Sequence, residues 1–249
     1  MTTDKQKLIQ FLSGDLKTLK QQEIVSFIPE IKPMIAMQQH NPNHCYSVWE
    51  HTIHSIAFAP DNILLKLTML FHDIGKPACY SQDKNGIGHF YGHPKKSKDI
   101  AFKILKRLQF EDSTIETVCQ LIFYHDAEIP SKAVSVKRWL NKLGEEQFKL
   151  LLEVKKADIK AQSSTVQSQK LEKIKRLEQK LTEVIEKSKC FSKKDLAITG
   201  YDLIQADISQ GKEIGKILTL LVDAVKQHYI KNEKYQLIQA AKEIYKNNA

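Results

Sequence analysis

The sequence is poor in residues that interrupt regular structure, with nine glycines and seven prolines among 249 residues. So small a supply argues against a turn-rich sheet protein and for long helices. Cysteine is scarcer still. Cys45, Cys79, Cys119 and Cys190 sit far apart with no CxxC spacing, which excludes a zinc ribbon or a disulfide framework and implies reduced thiols. No apolar run is long enough to cross a bilayer: the longest, Ile63 to Phe71, is broken by Lys66, and Met1 to Lys7 lack the apolar core of an export signal. A soluble, cytoplasmic protein with no membrane partner is expected.

What is present suffices for a sizeable core, since 42% of the residues are hydrophobic, and the length allows one domain or two. The formal charge of +9 is unevenly placed. Residues 41 to 128 carry nine Lys/Arg against ten Asp/Glu, whereas residues 129 to 188 carry fourteen against eight. That second stretch suits a polyanion such as RNA. The same lysines serve equally well as a solvated helix surface.

Periodicity predicts helices almost throughout. A short one over residues 4–13 places Leu8, Phe11 and Leu12 on one face and ends at Gly14; a weaker pattern through Leu16, Leu19, Ile24 and Phe27 stops at Pro29. Pro33 and a turn at Asn41-Pro42-Asn43 close this 1–45 cover. Ser47 would cap a helix to about Ala59 and Asp61 would cap the next, which carries Ile63, Leu64, Leu67, Leu70 and Phe71. Residues 78–92 read as a loop or small hairpin. Further helices are expected from Pro94 to about Leu108 and at roughly 112–125, 133–143, 145–162 and 166–188. The expected division is 1–45, 46–165 and 166–249, the last combining a long polar helix with a small helical unit after Phe191.

The chain is organised around Phe71-His72-Asp73-Ile74-Gly75-Lys76-Pro77, a His-Asp doublet at the end of an apolar helix. An imidazole beside a carboxylate suits a divalent cation, but a lone doublet is commonplace. Its company carries the argument: His51 in Val-Trp-Glu-His-Thr, His93 in Gly-His-Pro, His125 in Tyr-His-Asp, and Asp158 beside Ala157. One buried histidine is ordinary core; this ordered set is hard to explain by packing. His54, three residues after His51, reads as a neighbour or plain surface, and Trp49 and Trp139 as core or interface aromatics.

The order His, His-Asp, distant Asp resembles the HD-domain metal-dependent phosphohydrolases. Residues 48–52, 72–77 and 88–93 resemble more narrowly the HD domain behind the polymerase head of some bacterial CCA-adding tRNA nucleotidyltransferases. The stretches 194–204 and 211–218 resemble the body segment of the same enzymes, although Asp207 replaces its Gly and Gln210 and Lys212 replace its Pro. The resemblance spans about residues 28–245 and implies an all-α protein, an HD-domain helical bundle with a smaller C-terminal helical unit. The polymerase's paired aspartates one residue apart occur nowhere, so nucleotide addition is not expected. Gly211 to Lys216 is one residue short of a phosphate loop and lacks its Ser/Thr.

By the resemblance, His51, His72, Asp73 and Asp158 would hold one divalent metal ion, with Mn, Ni, Co, Fe, Zn and Mg undistinguished. His93 and His125 would be ligands of a second metal, or a general acid and a phosphate contact. Asp73, Lys76, His93 and His125 are the candidate catalytic residues, Lys76 as a point charge on phosphate or simply a solvated lysine. A cation there would acidify water and polarise a phosphoryl group. The expected activity is phosphomonoesterase or phosphodiesterase action on nucleotide or RNA phosphoesters, in particular 2′,3′-cyclic or 2′-phosphate ends. Two alternatives stand: a non-catalytic tRNA-binding or partner-docking module, and an HD hydrolase of deoxynucleoside triphosphates or alarmones.

Overall fold

A computed structural model describes residues 2–14, 21–40, 46–190, 192–209, 211–227 and 229–248. Its chain contacts gather into two compact units, Met1–Ile129 with Glu145–Arg176, and Pro130–Gly144 with Leu177–Ala249. As the scarcity of glycine and proline implies, the protein is all-α, with one two-stranded hairpin among the described residues. No helix among the described residues is long and apolar enough to cross a membrane.

In the first unit, α1 (Asp4–Ser13) starts from a reciprocal cap between Thr3 and Gln6 and buries Leu8, Phe11 and Leu12. Helix α2 (Gln21–Phe27) follows, then a 3₁₀ turn over Pro29–Ile31 and the single-turn α3 (Lys32–Ile35). The expected positions Leu16 and Leu19, and the turn at 41–43, lie outside the described residues. Ser47 and Glu50 form a second reciprocal cap at the start of α4 (Val48–Phe58). Helix α5 (Ile63–Phe71) is capped by Asn62, whose Oδ1 accepts from the Leu64 and Leu65 amides, and not by Asp61. The Asp61 carboxylate pairs instead with Lys66 Nζ at 2.7 Å: the chain turns one residue later than the Pro-Asp pair suggests, and the side chain at the cap position takes the bond.

The short α6 (Lys76–Cys79) leads into a hairpin of β1 (Ser81–Gln82) and β2 (Gly88–His89), antiparallel with Ser81 opposite His89. Next come α7 (His93–Arg107) and α8 (Asp112–Tyr124). Helix α9 (Ala133–Lys160) is broken at Gly144, where φ is 75°, so 145–160 stands as its own helix, as the sequence predicts. The polar α10 (Ser164–Cys190) buries Ile174, Leu177, Leu181 and Val184 along a narrow seam. In the first unit Leu67, Met69, Leu70 and Phe71 of α5 are fully buried, so the helix bearing the His-Asp doublet is itself core.

In the second unit, α11 (Gly200–Gln205), α12 (Lys212–Lys226) and α13 (Lys234–Asn248) close around Leu203, Ile208, Ile217, Leu221 and Leu237. The end of α11 is set by backbone chemistry. The Ile208 amide donates to the Leu203 carbonyl and the Asp207 amide to that of Ile204, both at 3.1 Å, while the Leu203 and Ile208 side chains share the core. This is the Schellman arrangement, which asks for a left-handed residue between them. Asp207 supplies it with φ 66°, in a region that glycine occupies freely and aspartate only at a cost. Asp207→Gly is therefore expected to stabilise the second unit by about 1 kcal/mol, read as a rise in the denaturant midpoint; a fall would show that the aspartate side chain contributes more than its backbone costs.

Candidate metal centre

Five helices of the first unit deliver the six candidate donors to one place. His51 lies one turn into α4, His72 caps the end of α5, Asp73 follows it in the turn, and His93 is the first residue of α7. His125 caps the end of α8, and Asp158 sits near the end of α9. His51, His72, Asp73, His93 and His125 are buried, Asp73 being 1% exposed.

All four imidazoles are oriented alike. Nδ1 of His51 faces the Ala161 carbonyl at 3.1 Å, His72 that of Met69 at 2.7 Å, His93 that of Phe90 at 2.8 Å and His125 that of Ile122 at 2.7 Å. A carbonyl only accepts, so each Nδ1 carries a proton and Nε2 is the nitrogen turned toward the cluster. Those Nε2 atoms face one another: His51 and His72 at 3.3 Å, His93 and His125 at 3.2 Å. Asp158 Oδ1 stands 2.9 Å from His51 Nε2 and 3.7 Å from His72 Nε2.

Asp73 lies between the two pairs. Its Oδ2 is 3.6 Å from His51 Nε2 and 3.3 Å from His72 Nε2, while its Oδ1 is 3.3 Å from His93 Nε2 and 3.8 Å from His125 Nε2. Both Asp73 oxygens are buried without a hydrogen bond, although Lys76 Nζ lies 2.7 Å from Oδ2 as an ion pair. Lone pairs and carboxylates packed this closely repel unless positive charge sits among them. Among the described residues two groups could hold a metal ion: His51, His72 and Asp158, and Asp73, His93 and His125. The two imidazole pairs, their outward protons fixed by carbonyls, are the donor chemistry such ions need.

Titration reflects the same demand. Burial, the largest influence on His72, opposes its charge, but the Asp73 and Asp158 carboxylates outweigh it and raise its pKa to about 10. Burial likewise opposes the charge on Asp73 and Asp158, yet His72 and Lys76 hold the first, and His51 and His72 the second, well below the carboxylate range. His125 is pushed down to about 3, by burial first and then by His72 and His93.

Lys76 is buried, not splayed into solvent: its ammonium bonds Gln39 Oε1 at 2.7 Å and lies 5.2 Å from the Phe90 ring centroid. Several supporting side chains have no motif to mark them in the sequence. Gln39 couples Lys76 to the Tyr46 carbonyl. Gln162 donates to Asp158 Oδ2 at 3.0 Å, leaving Oδ1 for the imidazoles; its place four residues after Asp158 was the available signal. Lys155, three residues before Asp158, donates to the carbonyls of His125 and Ala127, each at 2.7 Å, and fixes the turn that carries His125. Burial lowers its pKa to about 8. Asp126 lines the cleft, its pKa raised by burial. His54 stacks on Tyr46, His40 is exposed, and His44 and His228 lie outside the described residues.

Gly75 fixes the spacing between the donor groups. A Cβ there would meet the Ser97 amide nitrogen at 2.6 Å and the His93 carbonyl at 2.8 Å, and the Gly75 amide donates to Ser97 Oγ at 2.9 Å. The turn holding His72 and Asp73 is thus pressed against the start of α7, which holds His93.

A cleft of about 290 Å³ opens onto the donors, lined by Asp73, His93, His125 and Asp158 together with residues 88–92. A larger cleft of about 740 Å³ in the second unit has none of these donors on its walls.

The profile of the family described as tRNA nucleotidyltransferase domain 2 matches residues 92–241. The chain belongs to that family. It is also similar to the A-adding tRNA nucleotidyltransferase of Deinococcus radiodurans, 25% identical over 121 residues, covering 46% of this chain and 28% of that enzyme. A second relative, the bifunctional uridylyltransferase/uridylyl-removing enzyme of Ruegeria pomeroyi, is 30% identical over 122 residues, 40% of this chain and 12% of the relative. The chain thus spans less than a third of either curated relative. The family match takes in His93, His125 and Asp158 and starts after His51, His72 and Asp73.

Gly75→Ala would push against the backbone at His93 and Ser97 and the Lys96 Cβ, so it is expected to destabilise the first unit by about 1–3 kcal/mol and to weaken divalent-ion binding, read by denaturant melts and by calorimetric titration with Mn²⁺. An unchanged affinity would show that the spacing is set elsewhere.

Proposed function

We propose that this chain is a metal-dependent phosphohydrolase of the HD-domain type, acting on nucleotide or RNA-terminal phosphoesters, with 2′,3′-cyclic and 2′-phosphate ends as the leading substrates. The observation that carries the reading is Asp73, a buried carboxylate with no hydrogen bond to either oxygen, set between two pairs of inward-facing Nε2 atoms. His51, His72 and Asp158 on one side of Asp73, and His93 and His125 on the other, would be the residues that hold divalent cations. Cations held there supply Lewis-acid polarisation of a phosphoryl group and acidification of water.

The chain's own residues do the rest. Gln162 and the four carbonyls hold the donors in their bonding orientation, Lys76 keeps Asp73 ionised, and the cleft beside His93 and Asp126 admits the ester. The second relative's name includes a uridylyl-removing activity, which supports a hydrolytic reading.

A second reading has its own support. The family match runs across the second unit, whose large cleft is lined by Lys137, Lys180, Lys187, Lys226 and Lys231. On that reading the chain binds tRNA or another RNA without turning it over.

The two are separated by one set of measurements. As a hydrolase, the protein takes up a divalent cation by elemental analysis and cleaves 2′,3′-cyclic AMP with added Mn²⁺ or Ni²⁺, and Asp73→Ala abolishes both cleavage and uptake. Full cleavage by Asp73→Ala would end the catalytic reading. A binding module instead shows tRNA affinity that falls steeply with salt and is indifferent to Asp73→Ala.

A further inference from the structure

The site cleft is lined in part by an aromatic side chain that is largely exposed. Tyr91 is 78% exposed and lines the same cleft as Asp73, His93, His125 and Asp158. An exposed ring on a charged protein surface is unremarkable singly, but this one is held in place. Its ring stacks on His89 with centroids 5.3 Å apart and planes 7° from parallel, and its hydroxyl lies 3.3 Å from His89 Nδ1. His89 is anchored in turn by Asp83, 3.1 Å from Nε2, and Asp83 also receives the Asn85 and Ile87 amides. A β hairpin, a carboxylate and an imidazole thus pre-orient a phenol that packs into no core.

Its distance from the chemistry is short and fixed. Tyr91 lies two positions before His93, so their α-carbons are at most about 7 Å apart, and Gly92 between them has φ 77° and caps the start of α7. From the reacting phosphoryl group, that is the reach of the sugar and base of a single nucleotide. Every nucleobase offers a π face, and stacking on an aromatic side chain is tolerant of which base it is.

We infer that Tyr91, backed by His89, is a stacking platform for the nucleobase adjoining the scissile phosphoester, so the site takes nucleotidyl esters over simple alkyl phosphates. This rests on the phosphoester reading of the donor cluster. Tyr91 is a substrate-positioning residue here, acting on affinity and not on bond cleavage. A free nucleotide and the 3′ end of an RNA present the same base and phosphoester, and the test contains both.

The experiment compares wild type, Tyr91→Ala and Tyr91→Phe on three substrates with one reacting group: 2′,3′-cyclic AMP, an RNA oligonucleotide ending in 2′,3′-cyclic phosphate, and base-free glycerol 1,2-cyclic phosphate. The ratio of kcat/KM for cyclic AMP to that for the glycerol ester is expected to fall about tenfold in Tyr91→Ala, the size of one base–aromatic stack, through KM; Tyr91→Phe keeps the ratio. An equal loss on the oligonucleotide assigns the platform to RNA ends as well, and a loss confined to cyclic AMP assigns it to free nucleotides. A binding readout runs beside turnover: 2′-AMP should shift the Tyr91 ring protons upfield in NMR. Turnover with an unchanged ratio in Tyr91→Ala would overturn the platform. No turnover of any ester, together with a 2′-AMP ring shift, would remove the hydrolase reading and leave the platform standing.

Discussion

A carboxylate that finds no hydrogen bond in a buried place is a debt the fold must settle elsewhere. Asp73 has Lys76 Nζ 2.7 Å from Oδ2 as an ion pair and stands within 3.8 Å of the Nε2 atoms of four imidazoles whose Nδ1 atoms are turned to carbonyls. Removing one charge partner from such a cluster leaves the others uncompensated, at a cost of several kcal/mol. Five helix segments therefore have to arrive together, and much of the first unit's architecture reads as the means of bringing them: a largely apolar α5 to sink the doublet into the core, caps at Ser47 and Asn62 to set where α4 and α5 begin, and Lys155 to tie down the turn after α8 that carries His125.

The sequence displayed the donors but not their support. His51, His72, Asp73, His93, His125 and Asp158 were legible because packing alone seldom puts histidine and aspartate in that order, and the helices were legible because leucine and isoleucine repeat at helical spacing. Gln39 and Ser97 were not, since a glutamine or a serine looks the same whether it faces water or a buried lysine 37 residues away. The change of cap from Asp61 to Asn62 has a similar cause: adjacent capping residues are equivalent on paper, and the backbone angle decides between them. Two short turns, at 29–31 and 76–79, escaped because one or two hydrogen bonds leave no periodic trace.

The relation to tRNA nucleotidyltransferase domain 2 and the donor cluster only partly coincide. The family match begins at Gly92, so it includes the half of the cluster on α7, α8 and α9 and stops short of the half on α4 and α5. The site nevertheless closes as one object, because the Asp73 carboxylate touches both halves. Asp207 gives a smaller example of the same partial overlap: the Schellman end of α11 is built as a glycine would build it, with a different residue in the position.

The contact at Gly75 has a consequence for ligand spacing. Backbone atoms of two segments meet there with no side chain between them to flex, so the gap separating the imidazole pairs behaves as a fixed caliper. Were a cation held between those pairs, the same glycine that makes the turn possible would govern how far apart its ligands stand.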